Sequence, residues 1–368
     1  MISKTESSAS WVSKQNSGIS RFLLYFLAAN IIGGFFLWLA ARELPFEEIV
    51  PYFQNADLGH LGVWCGVFVL VYIVCHGARV FRWYYLVEPL GEVDAGTVHR
   101  VCAVGFTAIL LLPLRLGELV RPYLLSLRSK LPMSGILGTA VVERVIDGLL
   151  MTGLLFLTLF LYDGDRATAF ARTTGVIAAA IFIPALVVCL LALWRRDWTL
   201  GVLRAIGNPI SESLTEKATA LLEDFIEGFR ALVEARHMGR FLFMTVLYWT
   251  TNVVSLWVLA RFGFGLEVGM WEMATVLPIL VMGIMIPAGP ALAGNFEYFM
   301  IKGMGLFLAI EATGVGTSVA VFAATVHVLQ FVVIALPGFL IMWVDPEARH
   351  LIQLSRQAEE AVPDEEPA

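Results

Sequence analysis

Two stretches of the chain share one outline: an apolar run, then proline and glycine, then an acid set in further apolar residues. The first reads LLLPLRLGELVRPYLL (110–125) and the second IMIPAGPALAGNFEYFMI (284–301). Each has a glycine at the same lead distance, because 113 − 91 and 287 − 265 are both 22, from Gly91 to Pro113 and from Gly265 to Pro287. Proline removes a backbone donor and glycine weakens a helix, so neither stretch can run as one uninterrupted helix. The coincidence predicts a duplicated unit whose helices break at matching points. In a membrane, breaks at corresponding places in two halves point to a binding site near the bilayer midplane.

The solvent follows from composition. Hydrophobic residues make up 58% of the 368 positions and charged residues 15%, with a mean hydropathy of +0.77. A water-soluble domain is about 45–50% apolar. The chain is therefore expected to be an all-α polytopic membrane protein, with inverted repeats and two broken or re-entrant helix pairs. The net charge of −6 and the scattered basic residues give no arm for nucleic acid, which is excluded as a partner. Cys65, Cys75, Cys102 and Cys189 sit in apolar runs without ligand spacing and read as reduced packing residues.

A spanning helix needs roughly 20 apolar residues. Full spans are expected near 22–41, 61–81, 134–160, 174–194, 241–261 and 318–343. The shorter apolar pieces 101–113 and 273–287 each lead into a broken segment, 114–128 and 288–308. Span 22–41 is too long for a signal-peptide core and is expected to remain as the first helix. The Lys/Arg bias places both termini and the first broken motif on the cytoplasmic side, and the acidic 42–60 loop outside. Parity then makes the second broken motif enter from the outer side, which is the inverted arrangement. The domain plan is a polar segment 1–20, a membrane region 21–194 with a first repeat at about 59–161, and a cytoplasmic amphipathic insert 195–240. A second membrane region 241–343 and an acidic tail 344–368 complete it.

Charge inside the apolar spans marks the candidate site. Arg115, Glu118 and Arg121 recur every three residues after Pro113, and a helix resuming at Gly117 places Glu118 and Arg121 on one face. Free amides beside two guanidinium groups suit an anion; a capped cytoplasmic turn is the plainer reading. Glu143, Arg144 and Asp147 interrupt an apolar span, where each central charge costs roughly 2.5–3.5 kcal/mol, so they must be paired or wet. They line a substrate cavity or merely pin helices together. Aligning Ser134 with Ser318 sets Glu143 opposite His327, since 143 − 134 and 327 − 318 are both 9. His327 becomes a cavity or proton-linked candidate, with packing as its alternative. Glu297, near the midplane, requires protonation or a basic partner, and Asn295 reads as a cavity residue or a helix cap. Arg82-Trp83-Tyr84-Tyr85 reads as an interfacial anchor, and Asp163-Gly164-Asp165 as a solvated turn.

In combination, Pro113, Arg115, Gly117, Glu118 and Arg121, then Glu143, Arg144 and Asp147, then the segment from Pro287 to Glu297 resemble one family. It is the flippase-like transmembrane domain of lysylphosphatidylglycerol synthases, with its uncharacterised relatives. The resemblance spans roughly 20–345 and implies movement of lipids or lipid-linked intermediates between leaflets of a bacterial or archaeal cytoplasmic membrane. Only a short polar tail follows Trp343, where bifunctional relatives carry a soluble aminoacyl-transferase, so no lipid aminoacylation is expected of this chain. The expectation is a non-enzymatic flippase or facilitator with no cofactor and no metal. Its substrate-binding candidates are Arg115, Glu118, Arg121, Glu143, Arg144, Asp147, Asn295, Glu297 and His327. Its partners would be a membrane lipid, phospholipid or polyprenyl-linked, and a separate lipid-modifying enzyme. No GxxxxGK[ST] loop for ATP is present. The rivals are a glycosyl- or phosphotransferase acting on a lipid carrier, with Glu47, Glu48, Asp163 and Asp165 as outer acids, and a polytopic scaffold docking through 195–240.

Overall fold

The computed structural model describes residues 27–28, 30–42, 46–112, 117–161, 169–209, 211–232, 235–286, 289–310 and 314–345. Among them every regular element is helical: α1 (Asn30–Ala41), α2 (Phe46–Asn55), α3 (Leu58–Val87), α4 (Ala95–Leu111), α5 (Gly117–Arg128), α6 (Met133–Leu161) and α7 (Ala169–Trp194). Then follow α8 (Arg196–Gly207), α9 (Glu212–Leu232), α10 (Ala235–Val258), α11 (Met270–Ile284), α12 (Asn295–Met304) and α13 (Val315–Val344). Among the described residues four helices are long and apolar enough to cross a membrane, at Leu58–Leu90, Phe170–Val187, His237–Gly263 and Val315–Val344. The chain is an all-α integral membrane protein.

The duplication predicted from the two motifs is visible in the packing. Unit α3–α6 corresponds to α10–α13, and the two exchange partners: α4 packs on α13, while α11 packs on α6. The equivalent helices α3 and α10 lie side by side in opposite directions. His60 bonds the Phe262 carbonyl, Cys75 meets the Tyr248 carbonyl, and Arg240 stacks on Tyr85. That antiparallel pairing of equivalent helices is an inverted repeat. The lead glycines play equivalent parts, since Gly91 (φ 147°) and Gly265 (φ 64°) both hold positive φ ahead of α4 and α11. Such backbone favours residues without a Cβ.

Both broken pairs fall where proline and glycine predicted them. Helix α4 (17 residues) ends at Leu111 and α5 (12 residues) starts at Gly117, while α11 (15 residues) ends at Ile284 and α12 (10 residues) starts at Asn295. At about 1.5 Å per residue none of these four helices matches the ~30 Å hydrocarbon thickness. Small residues let the partners close. A Cβ on Gly105 or Gly117 would strike the opposite helix of the first pair, and one on Gly283 or Gly303 that of the second. Asp94 caps α4 by accepting from the Thr97 amide at 2.8 Å. That bond holds its carboxyl below the usual carboxylate range.

Three expectations need correction. The acidic 42–60 loop contains α2, whose Glu47 and Glu48 favour a helix N-terminus and whose Tyr52 stacks on Phe264. The span expected at 61–81 runs to Val87, because Arg82 is neutralised inside the protein and needs no headgroup water. The 195–240 insert holds two helices, α8 and α9, but α9 lies along α6 and α10 already begins at Ala235. The N-terminal segment, Pro113, Arg115, Asp163–Asp165 and nearly all of the tail lie outside the described residues.

Candidate functional site

Glu143 and Asp147 are one helical turn apart on α6 and share a face, so both carboxylates point at the same neighbours. Both are buried, and so is Arg82 of α3, which donates through Nη2 to Glu143 Oε1 at 2.7 Å and through Nη1 to Asp147 Oδ1 at 2.6 Å. A second Arg82 bond reaches Asp147 Oδ2 at 2.7 Å. Arg121 of α5 takes the other oxygen of Glu143 at 2.5 Å, and the Trp249 indole of α10 donates to Asp147 at 3.1 Å. Arg144, 29% exposed, stands 3.5 Å from both acids. The guanidinium of Arg82 lies over Tyr248, and that of Arg121 over Trp83. Two carboxylates thus tie α3, α5, α6 and α10 together and leave one positive charge in excess.

Arg82 was the residue missed. The anchor reading of Arg82-Trp83-Tyr84-Tyr85 is wrong for its first half: Arg82 and Trp83 are fully buried, and the Trp83 indole donates to Thr139 at 3.0 Å. The available signal was the apolar run, which continues at helical spacing through Leu86 and Val87 instead of stopping at the arginine.

The second half gathers its candidates separately. The Asn295 amide, buried, donates to the Gly283 and Ile286 carbonyls and so closes α12 onto the end of α11. Glu297 caps its own helix by accepting from the Gly294 amide at 2.8 Å. Its other oxygen lies 2.5 Å from His327 Nδ1, while His327 Nε2 lies 2.6 Å from the Ala291 carbonyl and the ring stacks on Phe296. Ala291 (φ 59°) and Leu292 (φ 60°) are left-handed without being glycine, which costs about 1–2 kcal/mol each. From outside the repeat, α1 covers this break: Gly33 and Leu37 approach Gly294 closely enough that a Cβ there would collide with them.

Between the two groups lies a cavity of about 120 Å³ at the junction of the repeats. Arg144 and Asp147 reach it from one side and His327 from the other, with Arg79, Asn252 and Gln330 on its wall. Glu143, Arg121, Asn295 and Glu297 stand behind that wall. Glu118, half-buried at the start of α5, acts electrostatically on Arg144 from the first break. Arg79 is the singular group. It lies 4.0 Å over the Phe106 ring, its Nε is buried without a hydrogen bond, and no carboxylate among the described residues pairs with it.

These features define a class: an all-helical integral membrane protein built as an inverted repeat, with two broken helix pairs around a charged core. The sequence profile of the family described as "Lysylphosphatidylglycerol synthase TM region" matches residues 26–338, and the chain belongs to that family. It is 26% identical over 283 residues to the protein named Glycosyltransferase AglD of Haloferax volcanii, an alignment covering 69% of this chain and 43% of that one. The chain therefore spans less than half the length of that relative. No solved structure matches it.

Proposed function

We propose that the protein is a lipid flippase or facilitator that moves a phospholipid or lipid-linked intermediate between leaflets, with the headgroup passing through the cavity between the repeats. The observation that carries this reading is Arg79, a guanidinium on the cavity wall with no acidic partner among the described residues. With Arg144 on the same wall, two guanidinium groups face the cavity, and the wall suits a phosphate. The apolar remainder of the wall suits the first carbons of the tails. In this reading the two broken pairs are re-entrant and enter from opposite faces, and the web around Glu143 fixes the scaffold rather than touching lipid.

Lipids retained after gentle purification test the proposal. Mass spectrometry should find a phosphate-headed lipid at near-stoichiometric amount on the parent protein and a strong depletion on a well-folded Arg79→Gln variant. Equal retention by both would overturn the headgroup site.

A second reading is a glycosyl- or phosphotransferase acting on a lipid carrier, favoured by the name of the Haloferax relative. Glu48 is engaged by the Thr317 hydroxyl at 2.6 Å, as a structural acid would be. Glu47→Gln and Glu48→Gln variants that lose all function while keeping their lipid would favour the enzyme.

A further inference from the structure

The hydrogen count at His327 is fixed by its neighbours. A carbonyl oxygen can only accept, so the 2.6 Å contact to Ala291 requires a hydrogen on Nε2. The 2.5 Å contact to Glu297 requires another. It sits on Nδ1, as an imidazolium facing a carboxylate, or on Glu297, as a neutral acid facing a bare nitrogen. In both forms the pair holds one proton more than a neutral imidazole and a carboxylate together. A neutral imidazole has a single N–H and here faces two acceptors, so after that proton leaves it holds one of them. The carboxylate is the stronger acceptor. The Ala291 carbonyl is the contact that is lost.

We propose that Glu297 and His327 form a proton-binding site that governs the 290–292 segment. With the proton bound, the segment is clamped against α13. When the proton leaves into the cavity, the left-handed backbone at Ala291 and Leu292 is free to relax, and Leu292, part of the cavity wall, moves with it. The inference rests on the transport reading, because such a gate is the form in which a proton gradient would drive lipid movement.

The remaining titratable groups on the cavity wall are Tyr72 and Arg79 of α3, Arg144 and Asp147 of α6 and Tyr248 of α10; α4 and α11 contribute none. On α12, Lys302 lies over the Tyr298 ring, and from α2, Glu48 is bound to Thr317, ten positions earlier on α13. Asp147 is held by Arg82. The two variants below isolate the His327 pair from all of them.

The test is the accessibility of a single cysteine, Leu292→Cys, in full-length protein lacking the four native cysteines, held in nanodiscs. Its rate with a hydrophilic maleimide is divided by that of Ser213→Cys, on exposed α9, which removes the ordinary thiol dependence on pH. The ratio should rise about tenfold from acidic to alkaline pH. Glu297→Gln, whose amide can donate to a bare Nδ1, should hold the ratio low at every pH, and His327→Ala should hold it high at every pH. A ratio in the parent that ignores pH, or a Glu297→Gln variant that follows the parent, would overturn the clamp. Labelling requires no lipid movement. A pH-dependent ratio without lipid movement would sink the transport reading and keep the clamp, and lipid movement with a flat ratio would do the reverse.

Discussion

The two repeats place an acid–base pair at the same junction, between the helix after the break and the last helix of the unit, but with reversed polarity and different security. In the first, the base Arg121 comes from α5 and the acid Glu143 from α6. In the second, the acid Glu297 comes from α12 and the base His327 from α13. Glu143 is fully buried and takes a second guanidinium from Arg82, whereas the carboxylate of Glu297 is 20% exposed and has one imidazole and the Gly294 amide, beside a strained backbone. One half is cross-tied by permanent charges. The other hangs on a proton. A duplicated fold thereby gains a fixed side and a side that can yield.

The sharpest way to break this contrast is to remove Arg82. Arg82→Leu removes the one guanidinium that bridges both buried carboxylates, leaving Glu143 to Arg121 and Asp147 to Trp249 and the more distant Arg144, and should cost about 3–5 kcal/mol, read as a collapse in yield and in thermal unfolding in detergent. Glu297→Gln should change unfolding by less than about 1 kcal/mol, because the amide replaces one hydrogen bond with another. Equal losses in the two variants would erase the distinction between the halves. A smaller effect is expected at Gly294, where φ is 88° and α1 presses on the backbone. Gly294→Ala should destabilise by about 1–3 kcal/mol from its sparsely populated positive-φ backbone alone, with further loss from the collision with α1. No change in unfolding would mean that α1 does not seal the second break.

The smallest effect belongs to the cap of α4, in the first repeat. The Thr97 amide lowers the Asp94 carboxyl in the folded protein, so its stabilisation is present above the ordinary carboxylate value and lost as pH falls through the lower folded one. Asp94→Asn keeps an acceptor oxygen but does not titrate there. The gap in unfolding midpoint between parent and variant should narrow on acidification to about pH 3. A gap that widens would contradict the cap.

The sequence disclosed what repeats or breaks. Pro113, Gly117, Pro287 and Gly294 announce discontinuities because each has a direct backbone consequence, and Gly91 and Gly265 mark equivalent positive-φ turns at equal spacing. Glu143, Arg144 and Asp147 stand out because an apolar span has no use for unpaired charge. Arg82 did not, because an arginine near the end of a span looks the same whether it meets headgroups or two carboxylates 61 and 65 residues away. Arg79 was hidden for the same reason. The alignment of Glu143 with His327 found the right junction, but its reversed polarity depends on partners brought in by tertiary packing. Helix α2 was lost in a short acidic stretch whose apolar face has a partner only in the folded chain.

The transport proposal stands on passage of a headgroup through the cavity beside Arg79. Its most direct test is movement of a headgroup-labelled phospholipid in vesicles reconstituted with purified protein, read by bleaching from outside. Protein-dependent movement is expected, falling about tenfold or more in Arg79→Gln, since a hydrogen bond to a charged group is worth about 1.5–3 kcal/mol, while unfolding of the variant stays unchanged. Movement in parent vesicles no faster than in protein-free ones, or undiminished in the variant, would contradict it.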